Sequence, residues 1–166
     1  MKNYGIYLPY YYSGGHTTQA MTGVDSTWGT KTTGTGLSEI RYNKSLDCSG
    51  FLTWALENGG VDIQNNDGTY KSFMAGDFEN LTGTKITKFD NLKPGDVLEK
   101  SGHVILVVDK YKDSSGNTVA VCAESTGSYG PYINSTENGG VILKTYTESE
   151  ASSYTKVDMD GYYSSR

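Results

Sequence analysis

Cysteine and histidine are scarce in this chain: two of each among 166 residues, namely Cys48, Cys122, His16 and His103. Two cysteines permit one disulfide but no disulfide framework, and no Cys or His pair stands at zinc-ligand spacing. The segment "DIQNNDG" resembles a calcium loop, but counting back from Gly68 puts Ile63 where the first acidic ligand belongs, so it reads as a turn. Basic clusters are missing as well. The net charge is −5 and the 14 Lys and Arg residues are dispersed, which excludes sequence-independent nucleic-acid binding. No apolar run approaches the roughly 20 residues that a membrane-spanning helix needs. The N-terminal "MKNYGIYLPYYYSGGH" lacks the apolar core of a secretory signal. The chain is therefore expected to be cytoplasmic, to leave by a route without a signal peptide, or to be the excised domain of a larger protein.

What remains is turn-rich and polar. The apolar fraction is only 36%, with 21 glycines, and Ser, Thr and Asn are abundant, which favours short strands and many turns over a helical bundle. Fourteen tyrosines against four phenylalanines supply amphipathic rings, either for gripping sugars and peptides or as half-buried strand residues with wet hydroxyls. The length suits a single domain over residues 1–166, able to bury a two-layer core without staples.

Residues 1–15 read as an extended segment ending in a Gly14-Gly15 turn. Residues 16–46 are rich in Thr and Gly and have no period, which marks them as a lid loop beside a functional site, with Trp28 as its one large apolar anchor. From Ser49 to Asn58 the pattern is helical, with Asp47 as N-cap and Gly59-Gly60 as the stop. A further short helix is expected around Tyr70 to Phe78. Then come strands: "DVLEK" after a Pro-Gly turn, "GHVILVVDKY", the hairpin turn "KDSSGN", "TVAVCAE", "GGVILKTY" and a last one in "YTKVDMDGYY". Strands following one central helix make an α+β fold, the helix packed on an antiparallel sheet.

Cys48 stands at the start of that helix, in "SLDCSGFLTWALENGG". A thiol must ionise to attack, and unsatisfied N–H groups at a helix N-terminus favour the thiolate and the oxyanion that forms next. The one good imidazole base is His103, where "KSGH" enters the strand "VILVV". Folding the hairpin symmetrically about Ser114-Ser115 puts Glu124 opposite Ile105, a diagonal neighbour of His103 on the same face. Glu124 is thus the expected third member. Ser125 or Thr126 replaces it if the register slips by one residue. Cys122 shares the face of Glu124 and reads as a small buried hydrophobe.

"DCSGF" before a helix, followed by "KPGDVL" and "SGHVILVV", resembles the NlpC-type cell-wall cysteine peptidases, and "PYYYSGGH" is similar to their P-Y-x-W-G-G segment. The resemblance implies a papain-like α+β core, catalytic Cys48, His103 and Glu124, and substrate contacts from Tyr11, Asp47 and Ser49. It departs from the family at Ser13, where a tryptophan stands, and in the long connection from Gly15 to Asp47. Glu at the third position is more like the related CHAP domains. Both groups act on bacterial peptidoglycan, and neither needs a metal or organic cofactor. The expected activity is hydrolysis of an amide bond in wall peptides, by a monomer that is phage-released or secreted and whose wall-binding domain lies elsewhere. A CHAP-like N-acetylmuramoyl-L-alanine amidase, an acyltransferase and a non-hydrolytic wall-binding module are the alternatives.

Overall fold

In a computed structural model of the chain, residues 8, 10, 14–16, 31–33, 40–42, 45–63, 71–127 and 139–165 are described. They form a mixed α and β structure in the order β1 (Lys31–Thr33), β2 (Ile40–Tyr42), α1 (Cys48–Asn58), α2 (Phe78–Thr82), β3 (Val97–Lys100), β4 (His103–Lys112), β5 (Thr118–Thr126), β6 (Gly140–Thr147), β7 (Thr155–Val157) and α3 (Asp160–Ser164). Five strands make an antiparallel sheet ordered β6-β5-β4-β3-β7, and β1 and β2 make a separate antiparallel ribbon. The expected α+β class is observed. Among the described residues no helix is long and apolar enough to cross a membrane. The chain divides into two compact units, one of residues 1–72 and 125–142, the other of residues 73–124 and 143–166.

In the first unit, α1 begins and ends where its residues dictate. Asp47 is extended and its carboxylate accepts from the Gly50 N–H at 2.8 Å, while the Gly59 N–H closes the last turn on Ala55. Phe51, Leu52 and Leu56 are buried, and the Thr53 hydroxyl turns back onto the Ser49 carbonyl. The short ribbon β1–β2 lies within the stretch expected to be an aperiodic lid; residues 17–30, 34–39 and 43–44 of that stretch lie outside the described residues.

In the second unit, the two-residue turn Ser101-Gly102 joins β3 to β4, with Lys100 opposite His103 and Gly102 at φ 75°. One face of the sheet buries Leu98, Ile105, Val107, Ala120 and Cys122 against Phe89, Leu92, Tyr146 and Tyr154. On the other face Val97, Val104 and Val157 are fully buried. Phe73 meets Phe78 at 5.3 Å and Tyr162 edge-on at 6.0 Å between ring centroids. Each such buried ring stabilises the fold by about 2 kcal/mol relative to exposure.

The β4–β5 hairpin is not symmetric about Ser114-Ser115. Its outer pair is Lys112 with Thr118, which centres a five-residue turn on Ser115, where Asp113 accepts from the backbone of Ser115 and Asn117. That one-residue displacement alone would turn Glu124 away from the face of His103. A bulge at Val108 takes it back: Asp109 faces Val121, but Val107 faces Cys122 and Leu106 faces Ala123. The expected alignment thus returns at the end of the hairpin that matters.

Two shorter elements differ from expectation. The helix expected around Tyr70 to Phe78 instead runs from Phe78 to Thr82. Its start is set from outside by Glu99 on β3, buried, whose carboxylate accepts the N–H groups of Gly76 at 2.6 Å, Phe78 at 3.3 Å and Glu79 at 2.8 Å. The expected final strand survives only as Thr155–Val157. Beyond it Asp158 accepts from the Asp160 N–H, and the N–H groups of Tyr162 and Tyr163 both turn to the Met159 carbonyl, so the chain coils into α3.

Candidate functional site

The first unit places Cys48 as the first residue of α1, half-buried, directly after the capping Asp47. The Gly14-Gly15 turn docks onto this helix start, and the Asp47 N–H donates to the Gly14 carbonyl at 3.0 Å. The approach is close enough to require glycine on both sides. A Cβ on Gly50 would stand 2.0 Å from the Gly14 oxygen, and one on Gly15, whose φ is +83°, would stand 2.8 Å from the Gly50 Cα. The Gly14-Gly15 turn and Gly50 of α1 thereby meet backbone to backbone.

That docking delivers His16 to the cap. Its Nε2 lies 2.9 Å from both Asp47 carboxylate oxygens, and its Nδ1 lies 2.5 Å from the Ser72 hydroxyl. A carboxylate only accepts, so Nε2 carries a proton. Ser49 adds a hydroxyl 3.3 Å from Asp47 Oδ1. Asp47 and Ser49, named as substrate contacts, are both buried and face this cluster.

The second unit brings His103 and Glu124 together, as the hairpin reading expects. His103 Nε2 is 2.6 Å from Glu124 Oε2. The other carboxylate oxygen accepts from the Tyr146 hydroxyl at 2.9 Å. Burial pushes the Glu124 carboxyl up, but the hydrogen bonds from His103 and Tyr146, with the charges of His103 and Lys144, more than reverse this and hold it below its ordinary value. Burial, and then the bond to Glu124, push the Tyr146 phenol well above its usual range. An ionised Glu124 fixes the imidazole proton on Nε2, which makes Nδ1 the basic nitrogen of His103. His103 itself is part-exposed at the mouth of β4, whereas Glu124 is 3% exposed.

Cys122 is fully buried, and burial followed by the nearby Glu124 charge pushes its thiol up to about 12. It is a small hydrophobe, as its place in the strand implies. Ser125, the alternative third member, is buried on the opposite face and donates to the Leu46 carbonyl at 2.6 Å. Thr126 is half-buried. Tyr11 and Trp28, the remaining site residues, and residues 64–68 of the calcium-like turn lie outside the described residues.

Three participants escaped the sequence reading. Tyr146 sits three strand positions beyond the unremarkable Leu143, and no local pattern marks it as the second donor to Glu124. Ser72 lies 56 residues from His16. His16 carried one usable signal, its place directly after the glycine pair, but its partner could not be read from spacing. Comparison with protein families, with curated proteins and with solved structures finds no match for the chain.

Proposed function

We propose that the chain is a cysteine-dependent hydrolase that cuts an amide bond in the peptides of bacterial peptidoglycan. The observation that carries the reading is the buried, ionised Glu124 fixing the tautomer of His103, in a chain whose one exposed-side thiol heads a capped helix. The resemblance of "DCSGF" and "SGHVILVV" to the NlpC-type peptidases supplies the substrate class. The reading requires a papain-like fold.

In this mechanism His103 Nδ1 takes the Cys48 thiol proton, and the thiolate adds to the amide carbonyl. Backbone N–H groups at the start of α1 stabilise the oxyanion. The intermediate collapses, breaking the C–N bond, and His103 returns the proton to the leaving amine. Water, deprotonated by His103, then splits the thioester into a free carboxylate and the restored thiol. Glu124 orients the imidazole and stabilises its cation, and Tyr146 holds Glu124. Tyr11, Asp47, Ser49 and Trp28 are the substrate contacts this reading implies.

Purified peptidoglycan treated with wild type, Cys48→Ala and His103→Ala tests the assignment. Both variants should lose lysis together, because members of such a unit fail as one. Mass spectrometry should find new amine and carboxylate ends within the peptide. Cleavage at the sugar–alanine link would make the enzyme an amidase, transfer to an added amine would make it an acyltransferase, and intact wall with bound protein would make it a binding module.

A further inference from the structure

We propose that His16 is a positioning residue for the Cys48 thiol: it holds and shields the Asp47 carboxylate that caps α1, so that the cap does not oppose the thiolate beside it. The proposal rests on Cys48 being the reactive thiol of the reading above, but its geometry lies wholly within the first unit.

Asp47 does two opposite things to its neighbour. As N-cap it satisfies the Gly50 N–H at 2.8 Å and orders the first turn, which sets the direction of the N–H groups at Cys48. As a negative charge one residue away, it disfavours a second negative charge on sulfur. A bare capping carboxylate would therefore cancel much of what the helix terminus does for the thiolate.

His16 separates the two effects. Its Nε2–H sits 2.9 Å from both carboxylate oxygens, so the hydrogen bond draws on the charge without taking Asp47 away from Gly50. The pair is 14% and 11% exposed at the side chains, so water screens it little. The ring is held at its other end by Ser72 at 2.5 Å, and at its backbone by the glycine docking at Gly14 and Gly15. A ring fixed at three points is more than an incidental surface pair. Among the described residues of this unit, Asp47 and His16 are titratable groups at the start of α1, and the Ser49 and Ser72 hydroxyls bond to them. In the proposed mechanism His103 is a further titrating group.

The test is the pH dependence of Cys48 alkylation by iodoacetamide in the native full chain, read by peptide mass spectrometry, which needs no turnover. His16→Ala should move the midpoint of reactivity upward by about one pH unit, the effect of an unshielded like charge nearby. Asp47→Asn should not raise it, because the amide oxygen still accepts from Gly50 and carries no charge. The double variant should return to the wild-type midpoint or lie below it. An unmoved midpoint in His16→Ala, or an upward shift that persists in the double variant, overturns the proposal and leaves His16 a packing residue only. If His16→Ala does not fold by circular dichroism, Asp47→Asn alone decides, a raised midpoint overturning the proposal and an equal or lower one supporting it. Lysis surviving in Cys48→Ala would sink the proposed function while leaving this series of midpoints intact.

Discussion

Replacing Tyr146 by Phe removes one oxygen from the buried end of the His103–Glu124 network and leaves the ring edge-on to Tyr154, 6.0 Å between centroids. Glu124 then keeps His103 as a donor but loses the 2.9 Å bond at its other oxygen, at a site too buried for water to replace it. A hydrogen bond to a charged group contributes about 1.5–3 kcal/mol, so urea unfolding followed by circular dichroism at pH 7 should show a loss of about 2 kcal/mol. The pH dependence is the sharper readout. In the folded wild type the Glu124 carboxyl is pushed up by burial but pulled further down by His103 and Tyr146, so its net value is below that of the unfolded chain. A carboxyl depressed on folding contributes stability that is complete above its unfolded value of about 4.3 and is lost as pH falls through the lower folded value. The variant lacks part of that contribution, so the gap between wild type and Tyr146→Phe should be widest near neutrality and shrink in acid. Equal stabilities at pH 7, or a gap equally wide at about pH 3, would refute the account of Glu124 as an ionised, doubly bonded carboxylate.

Cys122, whose thiol is pushed up to about 12 by burial, should resist iodoacetamide in the native protein and label only after denaturation; native labelling of Cys122 at the rate of Cys48 would contradict its buried place. Gly50→Ala sets two effects against each other. Alanine raises helix propensity by about 1 kcal/mol, but its Cβ would stand 2.0 Å from the Gly14 oxygen, and the backbone cannot give way without undoing the Gly14–Asp47 contact. The clash should win, with a net loss of about 2 kcal/mol or more in urea unfolding, and a neutral or stabilised variant would mean that the two segments do not meet.

Local signals carried α1 almost entirely. The run from Phe51 to Leu56, Asp47 as cap and Gly59 as stop lie within one stretch of chain, and the helix forms between those limits. The strands of the sheet were equally legible where apolar runs and turn residues are contiguous, as on either side of "KDSSGN". Boundaries set by distant groups were not. Helix α2 starts where Glu99 reaches it from β3, about twenty residues away, while Asp77 at its N-cap makes no side-chain capping bond and accepts from the Met74 N–H instead. The alignment of Glu124 with His103 was inferred from a symmetric hairpin that does not exist, and it holds because the bulge at Val108 offsets the longer turn.

Sequence by itself determined the mixed α and β class and the placement of Cys48 at a helix terminus, because propensity, capping and strand alternation act within a few residues. Tertiary structure alone decided that Tyr146 completes Glu124, that Ser125 turns to Leu46, and that two glycine segments meet so that His16 lands on the capping Asp47. Those contacts join residues 22 to 79 positions apart. They depend on close backbone approach and burial, and neither leaves a periodic trace in the chain.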